Sequence, residues 1–285
     1  MGRQELWSFF DDQKEVQKVE TITEVREAEG HRVTSYLELA TKIAELQFRN
    51  REHVLMFRGQ GSDHRNSSKS TTLKPSLFRP QPGGPALPGS DTLTTRFETL
   101  KMAERQLIRK YENADMLDVE RLKRHRILRW AILQHYEVCP TPLLDVTHSL
   151  RIAASFASQD AAEDVFLFVL AVPNLSGAVT ASAETGLQIV RLSSVCPPAA
   201  VRPHIQEGYL LGEYPEMADY GQKELYGHYE IDFARRLLAK FRFDPKTFWK
   251  GDTFPQVGKL ALYPSKKRDP LLKLTEDIKA IIRTN

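Results

Sequence analysis

Cysteine is scarce in this chain. There are two in 285 residues, Cys139 and Cys196, and they form no C-x-x-C pair. That excludes a disulfide scaffold and a cysteine-built zinc site, and it suits a reducing compartment. Long apolar runs are missing too. The longest, Val165–Val172, has eight residues, against the roughly 20 that a membrane-spanning helix needs. Residues 1–7 lack the apolar core of a signal peptide, and Leu6 stands where a myristoylation pattern wants Ser or Thr. The expectation is a soluble, cytoplasmic protein with no membrane partner. Neither sign of charge dominates: 40 Lys and Arg against 37 Asp and Glu leave +3, too weak a field to select a polyanion by itself. No P-loop, H-E-x-x-H or G-x-S-x-G motif occurs, and Gly59-Gln60-Gly61 lacks the third glycine of a dinucleotide fingerprint. The eight histidines do not pair at metal-ligand spacing, so no metal is expected.

What is present describes a folded chain, 41% hydrophobic and 27% charged, long enough to bury a core without staples. Residues 1–30 alternate acidic and basic side chains and read as a mobile N-terminal extension with one edge strand at 16–22. Ser35 and Glu38 form a capping box, and apolar residues at helical spacing carry a helix to about Gln47. A strand over 53–57 delivers Arg58-Gly59-Gln60 into a long loop, 59–92. Helices follow at 92–113 and 117–136, then a strand at 142–146 and a helix at 148–158. Strands are expected at Val165–Val172, 187–192 and 201–206, and helices at 230–241 and 270–283. Irregular interspersion of the two types gives an α+β fold, with a mixed, mainly antiparallel sheet core and several flanking helices. The basic run Arg121–Arg126 spreads its charge round more than one helix face, which suits a solvated surface better than a nucleic-acid groove.

Three segments carry chemistry. In Phe57-Arg58-Gly59-Gln60, a guanidinium directly after an apolar strand can grip a phosphate or carboxylate, or can serve as a structural Arg at a strand end. In Gln134-His135-Tyr136 and Leu144-Asp145-Val146-Thr147, Thr147 is either a helix cap or a ligand contact. Asp145 can cap or pair with Arg58, and His135 lies on the apolar side of its helix. In Gln206-Glu207-Gly208-Tyr209, a strand would let only one of Gln206 and Glu207 face a given cleft, and Gly208 would let a ligand approach the backbone.

Together, with Leu73-Lys74-Pro75-Ser76-Leu77-Phe78-Arg79 between the first two, these segments resemble the FRG-domain family, named for its Phe-Arg-Gly motif. The resemblance runs from about Ser35 to Pro255. It divides the chain into an extension at 1–30, an FRG domain at 31–260 and a helical tail at 261–285. Glu137 stands where the family usually has Gly, Pro142 where it has Arg, Val146 where Trp is common and Glu207 where a second Gln is common.

The same layout is similar to that of ADP-ribosyltransferases, which implies an ADP-ribosyltransferase-like sheet core and NAD as substrate. On that resemblance Arg58, with Gly59 and Gln60, holds the diphosphate side. Asp145 and Thr147, with His135 and Tyr136 beside them, shape the nicotinamide pocket. Glu207 or Gln206 contacts the nicotinamide ribose, and only Glu207 can stabilise an oxocarbenium ion by charge. The implied activity is ADP-ribosyl transfer to a protein or nucleic-acid acceptor, or NAD hydrolysis, in a bacterial toxin or phage-defence effector. Two other readings stand beside it: a non-catalytic module that binds a nucleotide or nucleic acid in the same cleft, and an interaction domain in which Arg58 is structural.

Overall fold

The computed structural model describes residues 5–11, 13–81, 83–161, 163–225, 231–251 and 253–284. In chain order the elements are β1 (Leu6–Ser8), β2 (Gln17–Val19), α1 (Ile22–Glu27), β3 (His31–Arg32), α2 (Tyr36–Arg49), β4 (Val54–Gln60), α3 (Ser90–Asn113), α4 (Val119–Arg124), α5 (Arg126–His135), β5 (Leu144–Thr147) and α6 (Leu150–Ala157). They continue with β6 (Val165–Val172), β7 (Val179–Ser182), β8 (Leu187–Arg191), α7 (Leu192–Val195), α8 (Val201–Ile205), β9 (Gly208–Glu213), α9 (Tyr220–Leu225), β10 (Leu237–Phe243), α10 (Pro245–Phe248), α11 (Lys259–Leu262) and α12 (Pro270–Thr284). This is the α+β composition that the sequence implied. Among the described residues, no helix is long and apolar enough to cross a membrane.

Two compact units divide these elements. The first takes residues 1–73, 146–175 and 232–259; the second takes 74–145, 176–231 and 260–285. In the first unit β10 lies between β3, parallel to it, and β6, antiparallel. β4 pairs antiparallel with β6 on one side, and on the other Phe57 faces Thr147 of β5. Helices α2 and α6 cover one face, where Leu39, Leu46, Leu55, Phe57, Ala153, Ala157, Leu167 and Val169 share a core. In the second unit β7, β8 and β9 form an antiparallel meander. Its core joins α3, α5 and α12 through residues such as Phe97, Leu107, Ile132, Leu271 and Ile278.

The capping box at Ser35 forms with a shift. The Ser35 hydroxyl accepts the Glu38 N–H at 3.2 Å, while the Glu38 carboxylate reaches back to the Thr34 N–H at 2.7 Å. The run Val165–Val172 is β6 to the residue, because an apolar segment of that length between turns suits a strand buried on both faces.

Several expectations are corrected. Described residues of the segment expected to be mobile pack in the first unit: Phe9 is buried against His31 and Phe241, and the Trp7 N–H donates to Asn50. The long helix expected at 117–136 breaks at His125 into α4 and α5. The strand expected at 201–206 is helix α8, whose Pro203 sits in the first turn, where a missing N–H costs nothing. The helix expected at 230–241 is instead a short 3₁₀ turn at Phe233–Arg236 followed by β10; Glu230 lies outside the described residues. Lys240 stands in the middle of that strand. Here its side chain is 1% exposed, and its ammonium donates to Asp63 at 3.0 Å, the Thr71 hydroxyl at 2.9 Å and the Arg26 carbonyl at 3.2 Å. Burial pushes the Lys240 amine below its ordinary range and Asp63 pulls it back. The same contacts tie Asp63 and Thr71, both within the expected loop, to the sheet.

Candidate functional site

Strand β4 extends through Arg58, Gly59 and Gln60, so the Phe-Arg-Gly motif is inside the sheet rather than beyond its end. The pleat alternates the residues between faces. Phe57 and Gly59 face α6, and a Cβ at Gly59 would meet the Ala153 carbonyl oxygen at 1.9 Å and the Ala157 nitrogen at 2.8 Å. The room beside the Gly59 Cα on this face therefore goes to helix α6. Arg58 and Gln60 leave β4 on the opposite face, cross-strand from Phe168 and Phe166. Gln60 buries its Oε1 without a hydrogen-bond partner among the described residues. Thr147, paired with Phe57, belongs to the face that α6 covers, so the register does not bring it beside Arg58. Its hydroxyl accepts the Ser149 N–H at 3.0 Å; Ser149, not Thr147, holds the N-cap position of α6.

The second unit brings two distant segments together. His135 ends α5, fully enclosed, and its Nδ1 faces an Asp145 oxygen at 3.6 Å. On another side the ring meets Gly208, where a Cβ would come within 3.4 Å of the imidazole Cε1 and 2.8 Å of Leu192. A side chain at position 208 would clash with Leu192, while the imidazole lies at ordinary contact distance. Glu207 precedes it, exposed, with φ of 44° in the left-handed region that favours glycine. Gln206 is the C-cap of α8 and spends its amide on the Leu262 carbonyl at 2.7 Å. Since neither residue is on a strand, the expected choice of one inward residue by strand alternation does not apply.

Asp145 is the exposed end of a supported cluster, with 37% of its side chain open. The Gln134 amide donates to its Oδ2 at 2.6 Å. Arg79 contributes a positive field on the same carboxylate. Tyr136 points elsewhere: its hydroxyl donates at 2.9 Å to buried Asp269, which also takes the Arg202 N–H and caps the start of α12 through the Leu271 and Leu272 N–H groups. That commits Tyr136 to structure and ties the C-terminal helix into the unit. Burial pushes the Cys139 thiol up to about 12, which disfavours the thiolate. Glu137, which replaces the family's usual glycine, has φ of 55°, the left-handed cap after α5, and is held by an ion pair to Arg202 at 2.7 Å.

Burial holds the His135 imidazole below its usual pKa, an effect that the neighbouring Asp145 opposes. The neutral ring keeps its proton on Nδ1 toward Asp145, while Nε2 is buried without a hydrogen-bond partner among the described residues. The unfolded chain therefore binds a proton near pH 6.5 that the folded chain resists. Stability from this residue is complete above that pH and is lost as pH falls below it. Urea unfolding from pH 7 to pH 5 is expected to show this slope, and His135→Asn to remove part of it. The half-buried His53, shifted the same way, accounts for some of the remainder. Equal slopes for wild type and variant would refute the neutral assignment.

Residues 53–165 match the family model of the FRG domain. No curated protein and no solved structure matches the chain. The match opens on the strand of Phe57-Arg58-Gly59, takes in Gln134, His135 and Asp145, and stops before Gln206-Glu207-Gly208, a narrower span than the resemblance suggested. On these residues the chain carries an FRG domain.

Proposed function

We propose that this FRG-domain protein takes an NAD-type dinucleotide and breaks its bond to nicotinamide, as an ADP-ribosyltransferase or an NAD glycohydrolase. One observation carries the reading: His135, in contact with Asp145, is packed against Gly208, so the acidic pair Asp145 and Glu207 comes from two remote segments joined by one buried ring. In the proposed step the ribose C1′–N1 bond breaks and nicotinamide leaves with the bonding electrons. The carboxylate of Glu207 stabilises the oxocarbenium ion. Water, or an acceptor nucleophile on protein or nucleic acid, then adds to C1′ and gives up its proton. Asp145 lines the nicotinamide side. A toxin or phage-defence role would follow from NAD depletion or target modification.

A second reading, binding without turnover, draws on the commitment of the Gln206 amide to Leu262 and on the exposure of Glu207. Labelled NAD separates them. Nicotinamide release supports the enzyme, binding by calorimetry without release supports the module, and neither sinks both. Arg58→Ala is expected to keep the fold within about 1–2 kcal/mol of wild type while NAD binding is lost, because a half-buried charge seldom supports a core. Gross unfolding of that variant would make Arg58 structural.

A further inference from the structure

We infer that Arg202 is a positioning residue, which fixes Glu207 relative to the chain around His135; this rests on the NAD reading above. Glu207 follows directly on α8, a helix of five residues. So short a helix has little stability of its own in water and takes its place from tertiary contacts. Arg202 supplies such contacts in two directions. From a buried position in α8 it donates through Nη2 to the Glu137 carboxylate at 2.7 Å. Its guanidinium carbon lies 5.7 Å from the ring centre of Tyr136 and 4.9 Å from that of Tyr263. Tyr136 and Glu137 come directly after His135, so one side of the guanidinium holds α8 to the chain that carries the imidazole. Tyr263 is on the other side, in the C-terminal segment. The Leu262 carbonyl beside it takes the Gln206 amide at 2.7 Å, and Asp269 takes the Arg202 backbone N–H at 2.9 Å. Residues 262–269 therefore hold α8 near its start and at its end.

A guanidinium suits this place. It is planar and spreads its charge, so aromatic rings can lie against it while its edge donates to a carboxylate. Its Nε is buried without a hydrogen-bond partner among the described residues, and the two rings offset part of what desolvation costs the charge. Glu137 fits the same account. A glycine there would adopt the φ of 55° without strain, but it could not make the ion pair. The strained residue is thus the one that joins α8 to the end of α5. Holding a charged group in one place before the reaction starts is what makes it effective in the transition state.

The test compares Arg202→Met, which keeps the stem and removes the guanidinium, with Tyr263→Leu and Tyr263→Phe. Arg202→Met is expected to lower kcat for nicotinamide release about 10–10²-fold, the scale of a ~1 Å misplacement, with KM for NAD within about twofold. Tyr263→Leu should lower kcat in the same sense, and Tyr263→Phe, which keeps the ring, should release nicotinamide as wild type does. The double variant of Arg202→Met and Tyr263→Leu should be no slower than Arg202→Met alone, because the ring acts through the guanidinium. A role in folding alone would lower the active fraction and leave kcat per folded molecule unchanged. That result, or multiplying effects in the double variant, would overturn the assignment. Should Arg202→Met fail to fold, Tyr263→Leu against Tyr263→Phe decides: slow against normal release upholds the inference, and equal release ends it. If wild type releases no nicotinamide, the enzymatic reading falls by itself, and hydrogen exchange then decides the inference. The Gln206 and Glu207 amides, which donate to the Arg202 and His204 carbonyls at 3.1 and 3.2 Å, should exchange about tenfold faster in Tyr263→Leu than in Tyr263→Phe, with β8 unchanged. Equal exchange in the two variants would end it.

Discussion

Gly59→Ala is expected to unfold the first unit, with a loss above about 4 kcal/mol, at the severe end for a single substitution. Conformation is not the reason, for Gly59 lies in a regular strand and needs no left-handed backbone. The reason is space. The new methyl would sit 1.9 Å from the Ala153 carbonyl oxygen and 2.8 Å from the Ala157 nitrogen, both backbone atoms of α6. No side-chain rotation relieves that contact. The helix must lift off β4, and Phe57, Leu55 and Ala154 lose their packing with it. Gly61→Ala is the control, since nothing lies within 4 Å of a Cβ there. Urea unfolding of both variants checks the claim. A midpoint for Gly59→Ala near that of wild type would show that the helix and strand can separate cheaply. The third letter of the Phe-Arg-Gly motif is thus explained by packing, together with the small residues Ala153 and Ala157 that approach it.

Local signals in the sequence led to the parts of the fold that are settled locally. The hydroxyl and carboxylate at Ser35 and Glu38 announced α2, and an eight-residue apolar run announced β6. Where the structure departs, a distant partner overrides the local pattern. Lys240 belongs to a strand because Asp63 and Thr71, far back in the chain, neutralise and bond its ammonium. Segment 201–206 is helical although β-branched residues open and close it, and Pro203 fits only because it falls in the first turn. His135 and Asp145 stand out in the sequence, whereas the contacts around them do not. Ser76 and Gln134 are 58 residues apart, and no sequence pattern links a hydroxyl to an amide over that distance. The two glutamates at left-handed positions, Glu137 and Glu207, are the converse case: their unusual place in the family pattern was legible, and the backbone angles give its cost.

Glu207→Gln is expected to lower nicotinamide release by about 10²–10³-fold, the usual consequence of removing one preorganised group that stabilises transition-state charge. The fold should be unaffected, since an amide has the size of the carboxylate and the residue is exposed. Glu207→Gly makes the distinction sharper. With φ at 44°, glycine relieves a strain of about 1 kcal/mol, so this variant should melt above wild type and yet lose activity to the same degree. Opposite signs in stability and turnover would mark a residue kept in a strained place for its chemistry. Two measurements suffice, nicotinamide release under saturating NAD and thermal unfolding of the same preparations. Release within a few-fold of wild type in Glu207→Gln would remove the carboxylate from the reaction. With Gln206 already spent on the Leu262 carbonyl, stabilisation of the oxocarbenium ion would then have to come from a group outside the late segment.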